Sequence, residues 1–273
     1  MNLRVHIALI WRYLRYCLRA KTRYRVHSPF VYALAEAVLE DERMFYAFAQ
    51  VEAFRGRLSR SRASIQHTDH GAGSKVSASR GRSIRSLARH SAVSAATGQR
   101  LFRLVNFFKP QTMLELGTSL GISAAYQAAA APRARMLTIE GCPATAQLAA
   151  QHLAELGLPQ VRVLSGTFRD MLPEALQHLQ RLDYLYIDGD HRAAACQEYA
   201  RRCLPYAHSE SVFVIADIHW SQEMESAWEE MQRWAEVRLS IDLFHFGLLF
   251  FRQEQRQKEH FSLIRARWKP WQV

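Results

Sequence analysis

The sequence predicts an α/β domain, a mostly parallel sheet with helices on both faces, preceded by a helical N-terminal extension. Three observations carry this. From residue 110 onward, short apolar runs at 112–116, 135–139, 161–165, 184–187 and 212–216 alternate with helical stretches near 120–131, 143–157, 169–180, 192–204 and 221–236. That is the pattern of parallel strands joined by helical crossovers. In "VRLSIDLFHFGLLFFR" two further strand-like runs are separated by only a few residues around Phe244 to Gly247, too few for a crossover, so one C-terminal strand must run antiparallel. Finally, 273 residues with 49% hydrophobic content are enough for one large core plus an extension.

In residues 3–19, Leu3, Ile7, Ile10, Trp11, Leu14 and Leu18 recur at helical spacing, with Arg4, Arg12, Arg15 and Arg19 between them. This is an amphipathic helix. It suits packing on its own domain, pairing with a second subunit in a homodimer, or lying on an anionic bilayer. In "HSPF", Ser28 is an N-cap and Pro29 a first helical residue, opening a helix to about residue 39. A third helix is predicted at about 43–58. Residues 59–98 are rich in Ser, Gly, Arg and His and read as a mobile loop or lid. "GAGSK" within them lacks the spacing of a phosphate loop. The expected organisation is a basic helical extension and lid over 1–100, a nucleotide-type domain over 101–255, and a tail over 256–273.

Charge is divided unevenly. Residues 1–109 hold 20 basic and 6 acidic side chains, residues 110–273 hold 16 and 19. A basic half beside a near-neutral one suits an anionic partner: RNA, a membrane surface or an acidic small substrate. A solvated basic surface is the plain alternative. Cys17, Cys142, Cys196 and Cys203 have neither metal-ligand spacing nor disulfide-framework density, and no apolar run approaches a membrane span. Arg12 and Arg15 interrupt the first apolar run and no small-residue cleavage site follows, so no signal peptide is expected and the cytoplasm is the expected compartment.

The stretch "LELGTSLGIS" (114–123) carries the chemistry. It lies where the first core strand meets its helix, placing Gly117 and Gly121 at the carboxyl end of the sheet, where such folds bind ligands. The spacing is G-x-x-x-G, not the dinucleotide G-x-G-x-x-G, and Glu115 precedes the turn. A carboxylate there repels a pyrophosphate and suits an ammonium group. The next strand ends at Glu140, 23 residues beyond Gly117, where an acidic side chain can accept both hydroxyls of a ribose. Together these point to a nucleoside with a cationic tail and no phosphate, S-adenosylmethionine.

Here the chain resembles a known family. From about residue 102 to 252, "ELGTSLG", "TIEG", "LSGTF", "YLYIDGDH" and "VIADIHW", in this order, are similar to the class I S-adenosylmethionine-dependent methyltransferases. The resemblance is nearest to the small-molecule O-methyltransferases of the catechol and caffeoyl-coenzyme A type and to related sugar methyltransferases. It implies a Rossmann-like, seven-stranded sheet. It further implies that Gly117, Thr118, Ser119 and Gly121 wrap the methionine portion, with Glu115 near its ammonium group. By the same resemblance Glu140 holds the ribose, Gly141 lets the chain pass beneath it, and Thr167 and Phe168 border the adenine, with Asp170 as a further contact. Asp188 would face both cofactor and acceptor. Gly98 and Gln99 match a "GQ" pair that relatives place near the active site.

Methyl transfer from a sulfonium is an in-line displacement, so the enzyme chiefly aligns the nucleophile and removes its proton. In metal-dependent relatives a divalent ion lowers the pKa of the attacking hydroxyl, and Asp188 and Asp217 match two of its ligand positions. The third departs: Ile218 stands where those relatives have Asn or Asp. An oxygen-only magnesium site therefore lacks one ligand; either His191 or His219 completes a different site for a more nitrogen-tolerant ion such as manganese or zinc, or one of them is the general base without metal. Asp190 is a catalytic candidate or the cap of the next helix, and Trp220 lines the acceptor pocket or packs on the helix after it. The expected acceptor is a small molecule methylated at oxygen, no DNA partner being expected. The alternatives are RNA methylation, against which the "DPPY"-like or "NPPY" motif is missing from strand 184–187, and a non-catalytic S-adenosylmethionine-binding scaffold. An aminopropyl transferase shares the fold, but its acid-containing glycine loop does not resemble "ELGTSLG".

Overall fold

The computed structural model describes residues 3–67, 80–190, 192–253 and 257–272. The N-terminal part contains α1 (Leu3–Arg19), α2 (Pro29–Leu34) and α3 (Tyr46–Leu58). Ser28 caps α2 by accepting from the Val31 N–H, and Ala35–Glu40 continues that helix as a wider π-helical turn. The stretch read as a mobile loop is more ordered than expected. Within it β1 (Ser64–His67) and β2 (Arg80–Ser83) pair antiparallel, and α4 (Ile84–His90) follows. Ser83 N-caps α4, and Ile84, Leu87 and Ala88 anchor it in the core; short apolar periodicity inside a polar stretch hid it. The "GAGSK" segment lies outside the described residues.

The core follows as α5 (Ala95–Phe108), β3 (Thr112–Leu116), α6 (Ile122–Ala130), β4 (Arg135–Glu140), α7 (Pro143–Glu155), β5 (Val161–Ser165), α8 (Phe168–Leu179), β6 (Tyr184–Ile187), α9 (Ala193–Cys203), β7 (Val212–Ala216) and α10 (Gln222–Arg233). After them come β8 (Leu239–Asp242), β9 (Phe246–Phe250) and β10 (Glu259–Ser262). The sheet has the order β10-β8-β9-β7-β6-β3-β4-β5. Only β9 runs antiparallel, against both β7 and β8. The hairpin predicted around Phe244 is tight: Leu243 N–H donates to the Phe246 carbonyl, and Phe244 itself takes a positive φ of 68°. Residues 259–262, read as tail, add an eighth strand parallel to β8. The alternation is too brief there to announce a strand, and pairing with an already formed edge supplies the missing stability.

Alternation along the strands builds two cores. Met113, Tyr184, Tyr186, Val212 and Val214 face one layer, which also contains α2, α3, α5 and α6; Val31, Leu34, Phe48 and Phe54 are continuous with it. Leu114, Leu116, Leu185, Ile187, Phe213 and Ile215 face α8, α9 and α10. A residue shifted by one position would cross from one layer to the other. Helices α2 and α3 therefore share their hydrophobic core with the sheet. The chain winds outward from β3 through β4 to β5 and, in the other direction, from β6 to β7. This leaves a crevice at the carboxyl ends of β3 and β6.

Candidate active site at the strand tips

The glycine turn is stitched to its neighbours. Gly117 and Thr118 donate to the Ile139 carbonyl of β4 at 3.0 and 3.3 Å, and Asp188 N–H donates to the Leu116 carbonyl at 2.9 Å. Gly117 has φ 109°, and a Cβ there would lie 2.3 Å from the Asp188 carbonyl oxygen. Only glycine allows β6 to close on β3 at this point. Ser119 follows with φ 47°, and Gly121, φ 82°, occupies the N-cap position of α6.

Glu115 is not presented to the crevice. Position 115 shares its strand face with Met113, so its side chain runs beneath the turn and is fully buried. Gln127 Nε2 donates to Oε1 at 2.8 Å and the Thr138 hydroxyl to Oε2 at 2.7 Å. The Thr118 hydroxyl lies 2.6 Å from that of Thr138. A chain of hydroxyls thus links the turn to the buried acid. Burial pushes the Glu115 carboxyl up to about 7, against the pull of hydrogen bonds from Thr138, Ser123 and Gln127. The sequence expectation that Glu115 would neighbour a ligand's ammonium group is corrected by this geometry: strand alternation turns it inward.

Glu140 ends β4 half-exposed. Its Oε2 accepts from Ser119 N–H at 2.8 Å and its Oε1 from Cys142 N–H at 3.0 Å. Each oxygen keeps a lone-pair direction for a further donor, so the carboxylate is positioned and still able to receive hydroxyls. Gly141, half-buried, follows it. Thr167 caps α8: its hydroxyl accepts from Asp170 N–H and donates to Asp170 Oδ2 at 2.6 Å. Asp170 is thereby committed to the cap. The ring of Phe168, half-buried, covers Gly189, where a Cβ would approach it to 2.7 Å, and meets Tyr199 edge-on. Thr167 and Phe168 accordingly sit at the rim of the crevice beside the β6 tip.

Asp188 extends from β6 with its Oδ2 accepting from the Tyr186 hydroxyl at 2.8 Å. Sequence reasoning missed Tyr186, although residues two apart on a strand share a face. Asp217, just past β7, has φ 53° and its N–H donates to the His245 carbonyl. Trp220 donates its backbone N–H back to the Asp217 carbonyl and stands exposed, immediately before Ser221, the N-cap of α10. Asp190 does not cap α9. Its carboxylate holds Arg192 through two contacts of 2.6 Å and meets the Tyr199 hydroxyl. Gly98 is explained by packing, because a Cβ there would lie 2.4 Å from the Tyr126 ring.

His219 is corrected most sharply. Its Nδ1 lies 2.8 Å from Glu225 Oε1 and its Nε2 2.9 Å from Asp242 Oδ2, and the ring stacks on Phe244 at 5.1 Å. Burial alone lowers its pKa, but Asp242 and Glu225 together raise it above 6.5. With both nitrogens bound to carboxylates, the ring offers no lone pair to a substrate proton or a metal. Arg12 of α1 completes the cluster at 3.0 Å from Glu225 Oε2. Nothing in the local sequence announced Asp242, 23 residues away; the β8–β9 hairpin delivers it. His191 lies outside the described residues.

The donors among the described residues do not by themselves make a divalent-ion site. Ile218 is buried and apolar, His219 is occupied, and among the described residues no three His, Cys, Asp or Glu side chains form a metal-binding group. All four cysteines are unbridged, and among the described residues no helix is long and apolar enough to cross a membrane. An open groove of about 740 Å³ lies between α9 and α10, lined by Ala193, Gln197, Ser221 and Ser226. No residue of the glycine turn borders it.

The chain is similar to known proteins over its central segment and in its fold. A family model described as a methyltransferase domain matches residues 114–218. Catechol O-methyltransferase of Niastella koreensis is 33% identical over 101 residues, 36% of this chain and 46% of that protein; the match thus spans about half of the relative. The fold resembles the O-methyltransferase TomG of Streptomyces achromogenes, solved with S-adenosylmethionine, at a TM-score of 0.55 and 21% identity, covering 81% of this chain and 94% of that one. It also resembles the methyltransferase PaMTH1 of Podospora anserina, solved with S-adenosylhomocysteine, at a TM-score of 0.58 and 12% identity, covering 82% and 94%. The segment similar to a methyltransferase domain, residues 114–218, lies at the centre of the fold shared with these structures.

Proposed function

We propose that this protein transfers a methyl group from S-adenosylmethionine to an oxygen of a small-molecule acceptor. One observation carries the reading: Glu140 is held at the tip of β4 by the Ser119 and Cys142 amides, beside a turn that only Gly117 permits. Two ribose hydroxyls can donate to that carboxylate. The open edge of the turn, Gly117 to Gly121, suits the methionine portion, and Phe168 offers an apolar border for the adenine. Glu115 and Thr118 support the turn from below. The donor supplies an electrophilic methyl carbon on a sulfonium.

The acceptor belongs over the tips of β6 and β7. There Asp188 is oriented by Tyr186, and Asp217 and Trp220 stand at the adjoining strand end. The chain's contribution is alignment of the acceptor hydroxyl with the methyl carbon, worth several powers of ten in rate. Asp188 is the carboxylate placed to take the hydroxyl proton as the new bond forms. No step is assigned to a metal, because the described donors do not by themselves make a site for one, and none to His219. Similarity to a catechol O-methyltransferase supports oxygen as the acceptor atom. Titration calorimetry with S-adenosylmethionine, followed by methyl transfer to a panel of phenols and sugars, tests the reading. Binding lost in Glu140→Ala and turnover lost in Asp188→Asn are expected; absence of S-adenosylmethionine binding by the native protein would refute it. Binding without transfer to any acceptor would favour the scaffold reading, which the sequestered His219 makes the second choice.

A further inference from the structure

The first helix packs with the wrong side inward for a helix of a globular protein. Ile7, Trp11, Leu14 and Leu18 fall within about 60° of one another on a helical wheel, and they are exposed by 47%, 66%, 49% and 82%. The opposite face is the one that docks. Tyr16 and Ala20 are buried there, the Tyr16 hydroxyl donates to the Leu263 carbonyl, and Arg12 reaches Glu225. The helix is therefore fixed to the domain by a small cluster in which Tyr16 and Ala20 pack with Phe244 and Ile264, with its strongest apolar stripe facing outward. The C-terminal turn adds to this surface. Lys269 Nζ donates to the Leu18 and Ala20 carbonyls at the end of α1, and the neighbouring Trp268 and Trp271 are exposed by 59% and 73%.

Charge selects the occupant. Residues 1–35 contain seven Arg and Lys and no Asp or Glu. Arg15, Arg19 and Lys21 are exposed beside the stripe. Pairing this face with a second copy would bring two sets of like charges together with no acid from either segment to offset them. An apolar stripe with exposed indoles and a basic flank is the composition of a helix that lies in the plane of an anionic bilayer surface. We propose that α1, with the C-terminal turn, docks the protein onto anionic membranes. Apolar side chains enter the acyl boundary, and Arg15, Arg19 and Lys21 meet the headgroups. At 17 residues α1 lies on the surface and does not span it.

The test is flotation of the full-length protein with vesicles of phosphatidylcholine alone and of an equal mixture with phosphatidylglycerol, with Trp11 and the other tryptophans followed by fluorescence. Binding to the mixed vesicles, a blue shift in emission, and weak binding to the neutral ones are expected. Leu18→Glu and Trp11→Glu, which alter exposed positions and should leave the melting temperature unchanged, are expected to weaken binding at least about tenfold each. Arg15→Gln with Arg19→Gln should weaken it and flatten its salt dependence. The proposal is overturned if the native protein ignores anionic vesicles. It is equally overturned if the glutamate variants bind them undiminished, if light scattering shows a dimer that Leu18→Glu dissociates in place of membrane binding, or if the face retains RNA instead. None of these outcomes depends on the donor or the acceptor.

Discussion

Replacing Glu115 by glutamine measures the buried acid directly. In the unfolded chain this carboxyl loses its proton near 4.5, whereas in the fold burial holds the proton to about 7. Between those values the folded state carries the additional proton, so stability falls as pH rises from about 4.5 to 7 and is level outside that window. At about 1.4 kcal/mol per pH unit the full step amounts to about 3 kcal/mol, an order-of-magnitude figure. Glutamine resembles the protonated form in shape and stays neutral. The Gln127 Oε1, buried without a hydrogen-bond partner, is near enough to accept from the new amide once the Gln127 side chain turns over. Urea unfolding of native protein and Glu115→Gln at pH 5, 6, 7 and 8 is the assay. The two should be nearly equal at pH 5, and the variant should gain on the native protein progressively, reaching about 1–3 kcal/mol at pH 8. Parallel pH profiles for the two proteins would refute the reasoning, since the carboxyl would then titrate alike in both states. Unchanged S-adenosylmethionine affinity in the variant is also expected, because Glu115 lies beneath the turn and not in the crevice.

Three further outcomes follow from the same geometry. Glu140→Ala should weaken S-adenosylmethionine binding about 100-fold or more by calorimetry, since two hydrogen bonds to a charged acceptor are lost together. Gly117→Ala should destabilise the protein by at least about 3 kcal/mol in denaturant unfolding, because its backbone conformation is disfavoured for alanine and its Cβ collides with the Asp188 carbonyl. His219, whose pKa is raised in the fold, contributes stability that is complete below about 6.5 and fades as pH rises through its raised value. His219→Phe should therefore cost more stability at pH 6 than at pH 9, with tryptic cleavage at Arg15 and Arg19 reporting any loosening of α1; a pH-independent cost would refute the ionic cluster.

The sequence by itself determined the sheet. Strict alternation in "YLYI" and "VFVIA" sent Tyr184, Tyr186, Val212 and Val214 to one layer and Leu185, Ile187, Phe213 and Ile215 to the other, and the short gap at Phe244 already required an antiparallel hairpin. It also located the glycine turn between β3 and α6, because glycines between a strand and a helix mark the carboxyl end of a sheet. Local signals of this kind depend on spacing within one element. Side-chain direction at the strand ends was a different matter. Glu115 turns beneath the sheet and Glu140 stays at its tip, and the two look alike in sequence, each an acid near the end of an apolar run. His219 stands two residues from Asp217, yet its partner Asp242 arrives from the last hairpin, and Arg12 of the first helix reaches its other partner, Glu225. The eighth strand exists only because β8 offers it an edge, and the outward face of α1 was settled by which side Tyr16 and Arg12 could anchor. Those choices rest on contacts between residues far apart in the chain, which no local pattern encodes, and only the tertiary structure decides them.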